Sequence, residues 1–249
     1  METEIFPLSS KYDKHWVNQN SYDGLTLYCT ESLCQVLNLN EGMRVLDLGC
    51  GWAISSIFLA REFGVQAWGV DLEISASANY TRILEAGCNN QVYPLKCDAR
   101  RLPFPEGFFD AIISIDAYSY FGMDERFLSY LVPFLKPEGC IGIVEGCFAR
   151  EISSPSELPG YLKPIYWDDE DPWYAVHSAG WWKNFWEKTG LVRVFCSEIL
   201  PQNEFIWQEY IKNNRQKKSE QKLIRALSND TQNLIGLFRL AARRISIRK

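Results

Sequence analysis

Apolar and polar positions alternate in blocks along this chain. Short apolar runs near residues 43–48, 66–71, 92–96, 108–115, 139–147 and 191–199 are bounded by glycine, proline or polar residues, as buried strands are. Between them, stretches near 53–63, 75–86, 124–132 and 179–188 carry apolar residues at helical spacing. Such alternation predicts a doubly wound, mostly parallel α/β sheet with helices on both faces. Glu31–Leu39 has helical spacing ahead of the first strand, 203–228 reads as helix, and Leu234–Ile247 reads as a last strand.

The chemistry concentrates in Val45-Leu46-Asp47-Leu48-Gly49-Cys50-Gly51-Trp52-Ala53, followed by Gly69-Val70-Asp71. Gly49 and Gly51 remove Cβ atoms where the chain turns from strand to helix and a ligand would approach the backbone. Asp71 ends the next strand, where an acid accepts hydrogen bonds from ribose hydroxyls. A dinucleotide fingerprint would place a third glycine at Ile54, and the carboxylate of Asp47 would repel a pyrophosphate. Opposite an ammonium group the same carboxylate is favourable. The pattern therefore fits the methionine end of S-adenosylmethionine better than NAD.

With these motifs the chain resembles the class I S-adenosylmethionine-dependent methyltransferases. Val45–Ala53 is similar to their first motif and Gly69-Val70-Asp71 to their second. Cys97-Asp98-Ala99-Arg100-Arg101-Leu102-Pro103-Phe104 is similar to the third, and Phe108–Asp116 to the fourth strand. Leu135-Lys136-Pro137-Glu138-Gly139 resembles the turn into strand five, with Glu138 in place of a glycine. The family often has a third glycine where Ala53 stands. The resemblance covers about residues 38–200 and is nearest the small-molecule, ubiquinone/menaquinone-biosynthesis type. It implies a Rossmann-like seven-stranded sheet with strand seven antiparallel to strand six, so that 203–229 is a helical insertion between them. It implies cofactor contacts from Asp47, Gly49, Cys50, Gly51, Asp71, Leu72, Asp98, Ala99 and Asp116. Residues 1–40 would form a helical segment over the cofactor cleft, with Trp16 and Tyr22 as its contacts, and 41–249 the methyltransferase domain.

Composition narrows the setting. The net charge is −5, yet residues 203–249 hold 11 Lys and Arg against 4 Asp and Glu, so the body is strongly acidic. That disfavours a long nucleic-acid footprint, and the basic segment lacks interleaved aromatics, so a solvated helix face is its expected role. Eight cysteines without a C-x-x-C pair read as reduced thiols. With two histidines and no ligand spacing, no metal site is expected. Met1–Asp13 lacks a basic-then-apolar leader, and no window of about 18 uncharged apolar residues exists. A cytoplasmic protein that does not span a membrane is expected. Oligomeric state is not legible.

Residues 148–177 hold Pro155, Pro159, Pro164 and Pro172, several Tyr and Trp residues, and Asp168-Asp169-Glu170-Asp171. The segment leaves the carboxyl end of strand five, where α/β enzymes bind ligands, and is expected to act as a substrate lid. Its acids and aromatic faces suit a cationic or amine acceptor. Asp116 and Tyr118, after strand four, are candidates to line the acceptor site, and His177 is a candidate general base. Glu145 either faces the same cleft or is buried and paired. The expected activity is methyl transfer to the nitrogen or oxygen of a small molecule. The alternatives are an RNA- or protein-directed methyltransferase using the basic segment, and a non-catalytic S-adenosylmethionine-binding protein.

Overall fold

A computed structural model of the chain describes residues 2–166 and 175–246. Short helices come first: α1 (Glu2–Ile5), α2 (Lys14–Gln19) and α3 (Thr26–Cys34). Strands and helices then alternate through β1 (Arg44–Leu48), α4 (Ile54–Phe63), β2 (Gln66–Asp71), α5 (Ala76–Glu85), β3 (Val92–Lys96) and β4 (Phe109–Ile115). α6 (Ser119–Gly122) and α7 (Glu125–Leu131) lead into the long β5 (Leu135–Phe148). The rest comprises α8 (Lys163–Tyr166), α9 (Ala179–Glu187), β6 (Val192–Ile199), α10 (Asn203–Asn214), α11 (Gln221–Asn229) and β7 (Ile235–Arg244).

Among the described residues, seven strands form one sheet in the order β3-β2-β1-β4-β5-β7-β6. β7 runs antiparallel to both β5 and β6, while the β1–β2, β1–β4, β2–β3 and β4–β5 pairs are parallel. Side chains alternate across a strand, so β1 serves both faces. Val45 joins the core under α3 and α4, whereas Leu46 and Leu48 join the core that contains Leu131, Trp182 and Trp186. Asp47 shares the face of Val45, toward α4. Burying apolar residues on both sides explains why the strands read as unbroken apolar runs.

Three expectations shift. β5 starts at Leu135, ahead of the apolar run, because Leu135 pairs with Phe109 before the register shifts. Glu138 sits there at φ 63°, in the left-handed region that favours glycine. The stretch read as one helix over 203–228 is two, α10 and α11, broken by the polar run 215–220. The amino-terminal helix starts at Thr26 rather than Glu31. In the segment expected to be a lid, Ile152, Leu158 and Leu162 pack with Phe148, Ala226, Leu234 and Ile235 in a small separate core. Its acidic run Asp168–Asp171, with Trp167, Trp173 and Tyr174, lies outside the described residues. No described helix is long and apolar enough to cross a membrane.

Candidate active site

The glycine turn joins β1 to α4 at the carboxyl edge of the sheet. Gly49 has φ 76°, and a Cβ built on it would lie 2.4 Å from the Cβ of Ala117. Glycine there therefore brings the β1 turn against the residue that follows Asp116. Gly51 has φ 51°, and a Cβ on it would meet nothing within 4 Å. The open side of the turn thus exposes backbone where a ligand can approach. Ala53, where the family often has glycine, is left-handed at φ 60°. Asn79 of α5, 2% exposed, donates to the Gly51 carbonyl at 2.9 Å and holds the turn from behind.

Asp47 lies under this turn and is 1% exposed. Its Oδ2 accepts from the hydroxyls of Ser55 and Ser56, each at 2.6 Å, while its Oδ1 is buried with no partner. Burial raises its carboxyl to about 6, against the lowering effect of the two serines. Asp71, ending β2, accepts from the Gly51 amide at 2.9 Å through Oδ2 and from the Glu73 and Ile74 amides through Oδ1. It ties the glycine turn to the start of the next loop. Leu72 beside it is 58% exposed, an apolar surface at the rim of the turn. Asp98 accepts from the Arg100 amide at 2.9 Å, and Ala99 is buried beneath. Cys50 is 5% exposed, its thiol turned inward toward Asn79 and its amide bonded to the Val70 carbonyl. Only its backbone is left for a ligand.

The two amino-terminal aromatics part company. Tyr22 packs on Trp52 of the glycine turn, ring centroids 4.3 Å apart, and remains 66% exposed. Burial and the nearby charges of Glu73 and Asp71 push its hydroxyl upward. Trp16, expected beside it, instead lines a groove of about 390 Å³ with Lys11, Tyr12, Arg61, Glu62 and Glu85. Those residues stand at the far ends of α4 and α5, a helix length from the glycine turn. The turn after α2 (Asn20–Gly24) separates the two rings, so the structure places Trp16 with this groove rather than with Tyr22 at the glycine turn.

At the exit of β4, Asp116 is left-handed at φ 51° and exposed. Its amide donates to the Val144 carbonyl at 2.8 Å. Glu145 of β5, 4% exposed, organises the next turn. Its Oε1 accepts from the amides of Ala117 (3.0 Å), Tyr118 (2.5 Å) and Ser119 (3.3 Å), and its Oε2 accepts from the Ser119 hydroxyl. Burial, then the charge of Asp116, pushes Glu145 up to about 8. Of the two roles left open for Glu145, the structure selects the buried, bonded one. Burial is also the main reason that Asp23 and Tyr210 are raised, and the charges of Asp23 and Asp116 both add to Tyr210. Tyr210 thus feels the charges of both Asp23 and Asp116, and Glu145 that of Asp116.

Tyr118 does not line this site. Its side chain is fully buried among Phe121, Phe127, Trp182 and Trp186. Its hydroxyl faces the Trp186 indole without a well-formed hydrogen bond, leaving both groups unsatisfied. The turn that Glu145 imposes on residues 117–119 directs the ring inward, so Tyr118 is a core residue rather than an acceptor contact. His177 precedes α9 at the ligand edge of the sheet. Its Nδ1 lies 2.7 Å from Glu151 Oε1, and its ring stacks on Trp181 at 3.6 Å and 4°. Glu151 also accepts from the Ser178 amide and hydroxyl. Burial alone would raise Glu151, but these bonds hold it below its ordinary value.

Several contributors escape the sequence. Ser55 and Ser56 read as ordinary helix residues, although two serines opening a helix behind a strand acid are a usable signal. Asn79 is a polar residue at an inward helix position, another detectable oddity. Asp23 and Tyr210 meet only through tertiary folding.

This geometry, with a glycine turn at the carboxyl edge, an acid ending β2 and a second acid at the β4 exit, defines a Rossmann-like domain built for an adenosine-containing cofactor. Comparison with known proteins agrees. Residues 45–139 match the methyltransferase domain family. Phosphoethanolamine N-methyltransferase 1 of Arabidopsis thaliana is 28% identical over 147 residues, covering 58% of this chain and 29% of the relative. Among solved structures, a candidate sarcosine dimethylglycine methyltransferase of Galdieria sulphuraria aligns with TM-score 0.70 at 18% identity over 97% of both chains. Geranyl diphosphate C-methyltransferase of Streptomyces coelicolor A3(2), solved with Mg2+, geranyl diphosphate and S-adenosyl-L-homocysteine, aligns with TM-score 0.67 at 19% identity, covering 87% of this chain and 78% of that one. Over residues 45–139 the chain carries a methyltransferase domain, similar to those of S-adenosylmethionine-dependent relatives. The matched stretch is less than a third of the Arabidopsis relative's length. The ubiquinone and menaquinone subgroup gains no support from these relatives.

Proposed function

We propose that this chain transfers the methyl group of S-adenosylmethionine to a small-molecule nitrogen or oxygen nucleophile, with an amine as the favoured acceptor. The observation that carries this reading is the seam between two loops. Gly49 against Ala117 sets the glycine turn beside the β4 exit, where Asp116 stands exposed next to the turn that Glu145 holds. Among the described residues, the cofactor fits the turn. Gly51 leaves open space, Leu72 offers an exposed apolar rim, and the unpartnered Oδ1 of Asp47 suits an ammonium donor. Asp71 would take the ribose hydroxyls, Leu72, Asp98 and Ala99 would bound the adenine, and Tyr22 on Trp52 would cover the turn.

When bound, the cofactor supplies an activated methyl group on a sulfonium, so the protein's part is to bind, align and exclude water. The exposed carboxylate of Asp116 at the β4 exit favours a cation. We assign Asp116 to holding the acceptor's nitrogen and taking its proton. His177, oriented by Glu151, stands at the rim of the segment 148–177, which we take as the substrate lid. The phosphoethanolamine and sarcosine dimethylglycine relatives agree with an amine acceptor. A cytoplasmic setting belongs to the same reading, supported by eight free thiols.

The test is transfer of label from S-adenosylmethionine to a panel of small amines, phosphorylated amines and phenols. Labelled amines are expected, with Asp116→Asn slowing transfer by about 100-fold or more. Labelled phenols with unlabelled amines would overturn the amine reading. A full-rate Asp116→Asn beside a dead His177→Gln would move the proton to His177.

A further inference from the structure

The insertion after β6 is stitched to the loop that covers the glycine turn. Lys217, in the link between α10 and α11, donates from Nζ to the Tyr22 carbonyl at 2.7 Å. Asn214, the last residue of α10 and fully buried, donates from Nδ2 to the Asp23 carbonyl at 2.8 Å. Gly24 is left-handed at φ 82°, and a Cβ on it would lie 3.1 Å from Asn213 Nδ2 and 2.3 Å from Asn18 Oδ1. Three consecutive residues of the loop are therefore held or closely approached by the end of α10 and the link beyond it. On its other flank the loop is held by α5, where Arg82 Nε donates to Asn20 Oδ1 at 2.5 Å.

The Tyr22 ring itself cannot supply this order. It is 66% exposed, and Trp52 is its ring partner among the described residues. An exposed aromatic held on one side gains little from packing and samples other rotamers. Two main-chain carbonyls fixed in advance remove much of that freedom before any ligand arrives, which is how preorganisation raises affinity. The Lys217 ammonium also offsets part of the rise that burial gives the neighbouring Asp23 carboxyl.

We propose that Lys217 and Asn214 are positioning residues for cofactor binding: the α10–α11 insertion pins residues 22–24 so that Tyr22 stands over Trp52 and the glycine turn. The proposal rests on the reading of that turn as the S-adenosylmethionine site. It gives a basic lysine of this insertion a role inside the molecule, aimed at a peptide carbonyl rather than at a polyanion.

The test is calorimetric titration of S-adenosylhomocysteine into wild type, Lys217→Met, Lys217→Arg, Lys218→Met, Tyr22→Ala and the Lys217→Met/Tyr22→Ala double variant. Lys217→Met is expected to bind about three- to tenfold more weakly, Lys217→Arg to recover most of the loss, and the neighbouring Lys218→Met to match wild type. In the Tyr22→Ala background the Lys217 effect should vanish, because it runs through that ring. In turnover, Lys217→Met should raise KM for the cofactor and spare kcat. A merely structural lysine would lower Tm and leave affinity alone, or act additively with Tyr22→Ala, and either result overturns the proposal. If wild type fails to bind, the cofactor reading falls and takes the proposal with it. If wild type and Lys217→Met bind alike, the proposal alone falls.

Discussion

Replacing Asp47 with Asn should change stability and cofactor affinity in separable ways. In the unfolded chain this carboxyl loses its proton near its ordinary value of 3.8, and in the folded protein burial delays that loss to about 6. Between those values the native state holds the extra proton, so wild-type stability falls as pH rises through the window and levels off above it. The shift is about 2 pH units, or roughly 3 kcal/mol at about 1.4 kcal/mol per unit. Asn does not titrate. Its Oδ1 can still accept from Ser55 and Ser56, while its Nδ2 takes the place of the carboxylate oxygen that has no partner. That unsatisfied donor costs about 1–3 kcal/mol at every pH. Urea unfolding at intervals from pH 4 to 7.5 should show Asp47→Asn less stable than wild type at pH 4. The variant should gain roughly 3 kcal/mol on wild type by pH 7, ending level with it or above. Parallel curves would refute the buried charge. Titration of S-adenosylhomocysteine should show about 10- to 100-fold weaker binding, the worth of one charge-assisted hydrogen bond. Unchanged affinity would refute the pairing with an ammonium.

Other substitutions probe the neighbouring elements. Tyr118→Phe deletes a buried hydroxyl that lacks a well-formed bond, so thermal unfolding should be unchanged or up to about 1 kcal/mol more stable, with methyl transfer at wild-type rate. A large loss of rate would restore Tyr118 to the site. Glu145→Ala strands three amide donors and should lose about 3 kcal/mol or more in urea unfolding. Glu145→Gln keeps one acceptor and should lose far less; equal losses would mean that the turn at 117–119 does not depend on this side chain. Gly49→Ala forces a Cβ to 2.4 Å from that of Ala117 in a left-handed residue. It should lose at least about 2 kcal/mol and abolish measurable binding of the cofactor product, and wild-type behaviour in calorimetry would contradict the loop seam.

The architecture was largely legible because the central parallel strands β1 and β4 are buried on both sides, leaving short apolar runs between helices of regular period. The antiparallel place of β7 came from family resemblance, not from its own pattern. Glu138 and Ala53 stand in left-handed positions where the family favours glycine, so both substitutions the sequence flagged coincide with backbone that glycine would enter more easily. The site was less legible. Asp47 and Asp71 could be singled out because acids at strand ends are conspicuous. Trp16 and Tyr22 looked equivalent in sequence, but α2 and its following turn send one ring to the ends of α4 and α5 and the other to Trp52. Tyr118 looked like a site residue because it follows the β4 exit, and its inward turn is set by Glu145, distant in sequence. Asp23, Lys217 and Asn214 meet through contacts spanning nearly the whole chain, which no local pattern encodes.

The most direct measurement is the heat of binding when S-adenosylhomocysteine and NAD are each titrated into the purified protein, with Asp71→Ala as control. Binding of the sulfur ligand alone, abolished in Asp71→Ala, is the predicted outcome. Binding of NAD alone, or of S-adenosylhomocysteine equally to wild type and Asp71→Ala, would contradict the assignment of the glycine turn.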